Sequence, residues 1–183
     1  MKLMIASDIH GSALYCEKML AAFARERADR LLLLGDILYH GPRNDLPEGY
    51  APKKVIEMLN AAKERLLCVR GNCDTEVDQM VLEFPILADY CILYVGERLV
   101  YATHGHNFNE EKLPPLQKGN ILLHGHTHVP VCREHEDYIY MNPGSVSIPK
   151  ENSAHGYMVL SENEAEWKTL DGETWKRFSL VIS

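Results

Sequence analysis

The sequence predicts an α/β fold in which two β-sheets pack against each other and are flanked by helices. Five short apolar segments have the length of buried strands. Near-continuous apolar strands are covered on both faces, which is typical of layered α/β packing. Helix and strand patterns alternate early in the chain, and after about residue 138 the pattern is mostly that of strands. We expect a single domain over residues 1–183, since domains commonly hold about 100–200 residues.

Each of the five apolar segments leads to a polar residue of a type that binds metal ions. Residues 3–6 lead to Asp8 and His10, 31–34 to Asp36, 66–69 to Asn72, 99–102 to His104, and 121–123 to His126 and His128. Ligands bind beyond the carboxyl ends of strands in open α/β sheets, so we expect these residues to meet at one edge. Loops that follow strands are often polar, which would explain one or two of these cases. It is a poor explanation for all five.

Two helices are predicted between the strands. Ser12 can cap the first, whose apolar face consists of Tyr15, Met19, Ala22 and Phe23. Pro52 suits the first turn of the second, whose apolar face consists of Val55, Ile56, Leu59 and Ala62.

Two hairpins are predicted from turn residues. Gly96 and Glu97 form a two-residue turn between β-like segments, with glycine first. Later strands are predicted at residues 138–140, 157–160, 166–170 and 175–182, and Asp171 with Gly172 marks the last hairpin.

The composition is that of a globular protein and disfavours several classes of function. Hydrophobic residues make up 46% and charged residues 25%, which argues against disorder. The net charge of −7 repels polyanions, so we expect no coating of DNA or RNA. A small anionic substrate would need local positive charge, which bound metal ions can supply. The oligomeric state is left open, and a homo-oligomer is compatible with the sequence.

The cysteines and apolar segments indicate a protein of a reducing compartment. Cysteines at positions 16, 68, 73, 91 and 132 lack the spacing of a disulfide framework or a thiolate zinc site. The first eight residues turn polar too early for a signal peptide, and no apolar segment approaches the roughly 20 residues of a membrane span. We therefore expect no membrane partner and a cytoplasmic location.

Two pairs of residues have a spacing that suits a shared ligand. Asp8 and His10 are two residues apart, and side chains at i and i+2 of an extended chain point to the same side. His126 and His128 repeat the spacing, and Gly125 allows the unusual backbone of a tight loop. Either pair alone is more often a capping carboxylate or a surface imidazole. The donors that follow the other three strands shift the balance toward a metal site.

The complete donor set exceeds the needs of one ion. If one carboxylate bridges, the set gives four protein contacts to each of two ions. Mixed oxygen and imidazole donors suit Mn²⁺, which we expect, or Ni²⁺, Fe²⁺ or Zn²⁺, whereas Mg²⁺ and Ca²⁺ favour oxygen alone. The seven donors are Asp8, His10, Asp36, Asn72, His104, His126 and His128.

The ordered motifs resemble those of the calcineurin-like metallophosphoesterases. These motifs are Asp8-x-His10, Gly35-Asp36, Gly71-Asn72-Cys73-Asp74, His104-Gly105-His106 and Gly125-His126-x-His128. Residues 40–44, 46–52, 69–74 and 142–150 are similar to the small bacterial YfcE-type phosphodiesterases. The resemblance covers about residues 1–150.

The resemblance implies both a fold and a chemistry. The fold would be a four-layer αββα sandwich of two mixed sheets flanked by helices. The first ion would be held by Asp8, His10, Asp36 and His128, and the second by Asp36, Asn72, His104 and His126. A metal-bridging hydroxide would attack a phosphate ester directly, without a covalent intermediate, and small phosphodiesters are the expected substrates.

Some predicted roles and departures concern single residues. We expect Asp36, Asn72 and His106 to be catalytic, and His40, Arg43 and Cys73 to contact the substrate. Many relatives carry histidine where this chain has Cys73, and aspartate where it has Tyr39, which leaves the general acid open. Asp74 is expected to orient the Asn72 loop, His135 and His155 to lie on the surface, and Cys16, Cys68 and Cys91 to lie in the core.

Two other functions are compatible with the pattern. A phosphomonoesterase for nucleotides or sugar phosphates would use the same pair of ions. A non-catalytic scaffold would share the fold, as the retromer subunit does, but there the metal ligands are partly replaced, whereas all seven stand in this chain.

Overall fold

A computed structural model describes residues 1–181, which form two β-sheets and three α-helices. The helices are α1 (Ala13–Glu26), α2 (Pro52–Ala61) and α3 (Glu76–Gln79), with a 3₁₀ turn at Lys63–Arg65. The strands are β1 (Leu3–Ala6), β2 (Arg30–Leu33), β3 (Leu66–Cys68), β4 (Tyr90–Val95), β5 (Arg98–Thr103), β6 (Asn120–Leu123), β7 (Pro130–Glu134), β8 (Tyr138–Pro143), β9 (Gly156–Leu160), β10 (Glu164–Thr169) and β11 (Thr174–Ser179).

Both sheets are mixed. Sheet A has the order β11-β10-β9-β1-β2-β3, and β1, β2 and β3 run parallel while the other neighbours are antiparallel. Sheet B has the order β4-β5-β6-β8-β7, with β5, β6 and β8 parallel between two antiparallel edge strands. The predicted fold class of two mixed sheets with helices is therefore confirmed.

The period-2 alternation of strand side chains separates the layers. In β1, Met4 packs with α1 and α2 on one face of sheet A, whereas Leu3 and Ile5 pack against sheet B. The core between the sheets is thus made of alternate residues from both sheets. On the outer face of sheet B, Leu116 packs on the strand residue Leu122, so the fourth layer is supplied by segment 104–119, which contains no helix.

Both predicted long helices are present, with the caps that the sequence indicated. The Ser12 hydroxyl accepts from the backbone N–H of Tyr15, and Pro52 occupies the first turn of α2. The predicted apolar faces point inward, although Tyr15 and Ile56 are only half-buried. Arg27 ends α1 in the left-handed conformation.

The predicted hairpins are present at both places. Val95 pairs with Arg98 across the Gly96-Glu97 turn, and β10 pairs with β11 across the turn that holds Gly172. The last strand ends at Ser179, and Ile182, the predicted end of that strand, lies outside the described residues. The sequence reasoning did not identify β7 or α3, which are short and lack a strong apolar period.

The prediction that the donors meet at one sheet edge needs a correction. Three of the strands that precede them, β1, β2 and β3, belong to sheet A, and β5 and β6 belong to sheet B. The carboxyl ends of both parallel sets lie at the same end of the sandwich, so the donors meet between two sheets. Within residues 1–181, no helix has the length and hydropathy needed to cross a membrane.

Candidate metal centre

The seven predicted donors lie together, and one group of them surrounds Asp8. The Asp8 Oδ1 atom is 3.2 Å from His128 Nε2 and 3.6 Å from His10 Nε2. The two imidazole Nε2 atoms are 3.3 Å apart. Asp36 Oδ2 completes this group at 3.6 Å from His10 Nε2. Four donor atoms therefore face a common point, as ligands of one ion would.

The second group surrounds His104. The Nε2 atom of His104 is 3.4 Å from Asp36 Oδ2, 3.0 Å from Asn72 Oδ1 and 3.2 Å from His126 Nδ1. The Oδ2 atom of Asp36 thus faces both groups. Its other oxygen, Oδ1, accepts a hydrogen bond of 2.8 Å from the backbone N–H of Cys73, which fixes the orientation of the carboxylate.

Backbone carbonyls orient three of the imidazoles. The Nδ1 atoms of His10, His104 and His128 lie 2.8, 2.6 and 2.8 Å from the carbonyl oxygens of Tyr39, Leu34 and Ile148. A carbonyl only accepts, so each Nδ1 donates a hydrogen bond to it and each Nε2 is turned toward the centre. This is the arrangement in which histidine binds metal ions.

Five donors have an uncommon backbone conformation. Asp8, His10, Asp36, His126 and His128 have φ values between 49° and 67°, which only a few per cent of residues other than glycine adopt. The prediction that Asp8 and His10 lie on an extended strand is therefore wrong, because both lie in left-handed turns beyond its end. Backbone strain of this kind clusters at functional sites and persists because surrounding contacts enforce it.

Gly125 plays a different role from the predicted one. Its φ is not positive; instead a Cβ atom there would collide with the Ser7 side chain and approach the Asp8 carboxylate. Gly35 and Gly71 likewise allow two loops to touch, because a Cβ on either would strike the other loop. Glycine here permits close approach of the donor-bearing loops.

Asp74 holds two donor loops together, as its predicted orienting role requires. Its buried carboxylate accepts hydrogen bonds from the backbone N–H groups of Asp36, Ile37 and Gly71, at 2.9, 2.9 and 2.7 Å. Burial raises the pKa of Asp74, while these donors act in the opposite direction. The loop after β2 is thereby fixed to the loop after β3.

Segment 142–150 supports the other donor loops, a role that sequence reasoning did not assign. The hydroxyls of Ser145 and Ser147 both donate to the carbonyl oxygen of Asp8, at 2.9 and 3.0 Å. The Asn142 amide donates to the carbonyl of Gly125 at 2.9 Å. These contacts enforce the left-handed turn at Asp8, and the similarity of the segment to a known family was the available signal.

Opposing charges shift the pKa values of the carboxylates. Burial acts to raise the pKa of Asp8, but the neighbouring imidazoles of His10 and His128 outweigh it and hold the pKa well below its usual value. In Asp36 burial is likewise outweighed, chiefly by His104, and the pKa is lowered. Both carboxyl groups are therefore ionised, as ligands must be.

The pKa values of the imidazoles shift in opposite directions, depending on how strongly each ring interacts with the Asp8 and Asp36 carboxylates. Burial acts to lower the pKa of His104, but the Asp36 and Asp8 carboxylates raise it to about 9. Burial and the neighbouring charge of His104 lower the pKa of His126 to about 4. The raised pKa of His104 shows that the carboxylates attract positive charge to the centre of the donor groups, where a metal cation would bind.

The donors fit divalent ions on two further observations. Asp8 Oδ1 is buried and has no hydrogen-bond partner among the described residues, which is costly unless a cation is bound. Among the described residues, three sets of three side chains have donor atoms within 4.8 Å of one another: Asp8-His10-His128, Asp8-Asp36-His104 and His10-Asp36-Cys73. Carboxylate and imidazole donors in this ratio suit transition metals.

A cavity of about 460 Å³ opens from the centre toward solvent. Of the predicted substrate contacts, Arg43 and Cys73 line it, together with the exposed donor Asn72. The His40 ring instead packs edge-on against Tyr39 and Tyr50, so the structure does not bring it to the cavity. Burial, reinforced by Asp36, raises the pKa of the Cys73 thiol to about 12.

His106 lies beside the second group of donors. Its ring is 5.4 Å from that of His104 and 6.4 Å from that of His126, and its Nδ1 has no partner within the described chain. Burial and the charge of His104 lower the pKa of His106. The ring does not line the cavity, so its predicted catalytic role stays a prediction.

Two expectations outside the centre need adjustment. His155 is not a free surface residue, because it stacks on Tyr15 at 4.0 Å and its Nδ1 donates to the Val146 carbonyl. Cys91 is half-buried, whereas Cys16 and Cys68 lie in the core as predicted. His135 is exposed, as expected.

Comparison with known proteins points to a single family. The calcineurin-like phosphoesterase superfamily domain matches residues 1–165. Phosphodiesterase YfcE of Escherichia coli K12 is 50% identical over 163 residues, 89% of each chain. A solved structure of Yfce, described as a phosphoesterase from E. coli, has a TM-score of 0.95 and 46% identity, covering 99% of this chain and 100% of that one. Vps29 of Entamoeba histolytica complexed with Zn²⁺ shares the fold, at a TM-score of 0.63 and 18% identity over 99% of this chain and 100% of that one.

Proposed function

The chain belongs to the calcineurin-like phosphoesterase superfamily, and from that premise we propose that it is a metal-dependent phosphodiesterase acting on small diesters. The observation that carries the proposal is the position of Asp36 Oδ2, within 3.6 Å of His10 Nε2 and 3.4 Å of His104 Nε2. One oxygen facing both donor groups is what a bridging ligand requires. Its relative YfcE, 50% identical, is named a phosphodiesterase.

We assign the seven donors to two divalent ions. Asp8, His10, Asp36 and His128 would hold the first, and Asp36, Asn72, His104 and His126 the second. Mn²⁺ is the proposed metal, and Ni²⁺, Fe²⁺ and Zn²⁺ suit the same donors. When bound, two such ions lower the pKa of a water molecule and neutralise charge on the phosphoryl group.

The side chains supply the remaining chemistry. Asp36 holds its second oxygen toward both groups because the Cys73 N–H fixes the first. Asn72 contributes a neutral amide, which adds no negative charge that would repel a phosphate. The three carbonyl-bound imidazoles already turn Nε2 toward the centre, so the rings need little reorientation to bind metal.

The cavity supports attack by water without a covalent intermediate. Outside the donor groups, the lining side chains of a nucleophilic type within residues 1–181 are Cys73, Thr127 and Lys150. With its pKa raised to about 12, the Cys73 thiol is protonated near neutral pH, and the thiol form is a poor nucleophile. No imidazole of the described residues other than the donors lines the cavity to activate the Thr127 hydroxyl, and a lysine amine forms covalent intermediates with carbonyl substrates rather than with phosphate esters.

The proposal also concerns the domain organisation and location of the protein, and it bears on the alternative of a scaffold. We propose that residues 1–183 act as one domain in the cytoplasm. A scaffold without activity, as fold likeness to Vps29 would allow, is disfavoured because all seven donors are present and oriented.

Reconstitution tests the proposal. Protein from which a chelator has removed all metal, then supplied with Mn²⁺, should hydrolyse the diester bis(4-nitrophenyl) phosphate faster than the monoester 4-nitrophenyl phosphate. His126→Gln should remove most of the activity, because it deletes a donor of the second group. His135→Gln is the matched control, since this imidazole is exposed and stacks on Tyr138. Preference for the monoester would favour the phosphomonoesterase alternative, and equal activity of the two variants would contradict the assignment.

A further inference from the structure

The cavity wall carries two cations that the proposed chemistry does not use. Arg43 and Lys150 both line the cavity, on the loops that follow β2 and β8. Both side chains are exposed, and neither forms an ion pair or a hydrogen bond through its charged group with any residue in 1–181. They are free to meet an anion that enters the cavity.

This freedom is unusual for the arginines of the chain. Within the described residues, only Arg43 and Arg27 have guanidinium groups without a hydrogen-bond acceptor or carboxylate partner. The other seven are engaged with backbone carbonyls or carboxylates, and they are Arg25, Arg30, Arg65, Arg70, Arg98, Arg133 and Arg177. Most arginines of the described chain thus have their guanidinium groups bound within the protein, whereas Arg43, which lines the cavity, can bind a ligand.

The backbones that carry the two cations are nevertheless fixed. Arg43 lies in a turn closed by the Asn44 side chain, which donates to the His40 carbonyl at 2.8 Å. The backbone N–H of Lys150 donates to the carbonyl of the donor His128 at 3.1 Å. The backbone of Lys150 is thus held directly beside the metal-binding loop.

The rest of the lining indicates what kind of group the cations bind. Of the carboxylates in residues 1–181, Asp36 alone lines the cavity, and it faces the donor groups. Apart from the donor imidazoles, no aromatic ring of residues 1–181 lines the cavity, so a nucleobase would find no platform on which to stack. Exposed Thr127 and half-buried Asn44 add polar groups. The wall offers charge and hydrogen bonds rather than stacking.

We propose that Arg43 and Lys150 form an anion subsite that selects phosphodiesters bearing a second negative group, a carboxylate or phosphate, on an ester arm. The inference rests on the proposed phosphodiesterase function and names its substrate class. Hydrolysis consumes one water, breaks one P–O bond and yields a monoester and an alcohol, and the second anion is not altered. The subsite acts on binding, so its loss should appear mainly in KM.

A pair of matched substrates isolates the second anion. Bis(4-carboxyphenyl) phosphate and bis(4-carbamoylphenyl) phosphate have nearly the same shape and differ in charge. Both arms of each are identical, so the result does not depend on which arm leaves, and meta isomers of both vary the distance to the cations. The parent protein with Mn²⁺ should prefer the carboxylate diester, and 0.5 M salt should reduce that preference.

The double variant Arg43→Gln/Lys150→Gln should lose about tenfold in kcat/KM on the carboxylate diesters and less than about twofold on the carboxamides. Arg27→Gln/Lys118→Gln is the control with the same change in net charge, at exposed cations that do not line the cavity. Equal losses on both substrate types, or equal losses in the two double variants, would overturn the subsite. A parent protein inactive on every diester would instead overturn the proposed function, and the subsite with it.

Discussion

The donor groups and the cavity wall are built in opposite ways. Each donor imidazole of the first group is buried and bound through Nδ1 to a backbone carbonyl, and Asp36 is held by a backbone N–H. Arg43 and Lys150 on the wall are exposed and have no side-chain partner within residues 1–181. The donor side chains are thus held in place by backbone groups, whereas the charged ends of Arg43 and Lys150 can move to meet different ester arms of a substrate.

Removing the Asp36 carboxylate, the proposed bridge between the two ions, should have the largest effect. Asp36→Asn should lower kcat/KM by at least about 1000-fold, because stabilisation worth several kcal/mol is lost at both ions. The amide can still accept from the Cys73 N–H, so thermal unfolding should change little. Asp137→Asn, at an exposed site away from the cavity, is the control. An Asp36→Asn protein that retains a tenth of the activity would contradict the bridging role.

The variant Cys73→His tests whether the cavity wall, where Cys73 lies, can supply the proton that the leaving group needs. A thiol is a weak donor, and assistance by a general acid contributes about 100-fold or more. The parent should therefore hydrolyse aryl diesters well and alkyl diesters poorly, and the variant should gain about 100-fold on alkyl diesters. Rates across diesters graded by leaving-group pKa measure this, with Cys73→Ser as the control.

A flat dependence on leaving group in the parent would remove the premise of that experiment. Another group would then already donate the proton. His106 is the first to examine, because it lies beside the second donor group.

Asp74→Asn should damage both stability and activity. The carboxylate accepts from three backbone N–H groups, and an amide leaves at least one of them without an acceptor. We expect a loss of about 1–3 kcal/mol in the free energy of unfolding and of about 10–100-fold in metal affinity. Denaturant unfolding and metal titration check the two effects. Normal stability together with lost metal affinity would mean that Asp74 binds metal itself.

Metal affinity should increase with pH, because protons compete with the ions for the donors. The pKa of His104 is raised to about 9, so its imidazole is protonated near neutral pH in the metal-free protein, and the pKa of His10 is also raised. The proton on His104, and any on His10, must leave when an ion binds. Apparent affinity should rise by up to about tenfold per pH unit for each proton released, and the gain should level off above about pH 9.

Excess metal should therefore shift the pH profile of activity to lower pH. Calorimetric titration in buffers of different ionisation enthalpy counts the protons released. A count of zero at pH 7 would show that the donors are already unprotonated.

The sequence predicted the identity of the donors better than the shape of the loops that hold them. Donor types at strand ends are visible as residues, and the strand pattern places them at one end of the sandwich. The left-handed backbone of Asp8 is not visible in this way, because it depends on Ser145 and Ser147, about 140 residues away. The direction of His40 depends on its packing against the adjacent Tyr39 and against Tyr50, within the same long connection between β2 and α2.

The fold shows the same division. Helices α1 and α2 were predicted from a cap, a proline and an apolar period, all of which are local signals. The coverage of sheet B by the non-helical segment 104–119 is a tertiary feature, since half-buried Leu116 packs against residues of β6 and β8. Local patterns gave the elements, and long-range contacts decided the layers and the site geometry.

The central claim is that Asp36 joins two metal sites in one chain. Its most direct test is metal analysis of the Mn²⁺-loaded, desalted protein, with activity measured on the same samples. Two ions per chain are predicted at full activity, with Asp36→Asn reduced to one or fewer. One ion per fully active chain would contradict the claim.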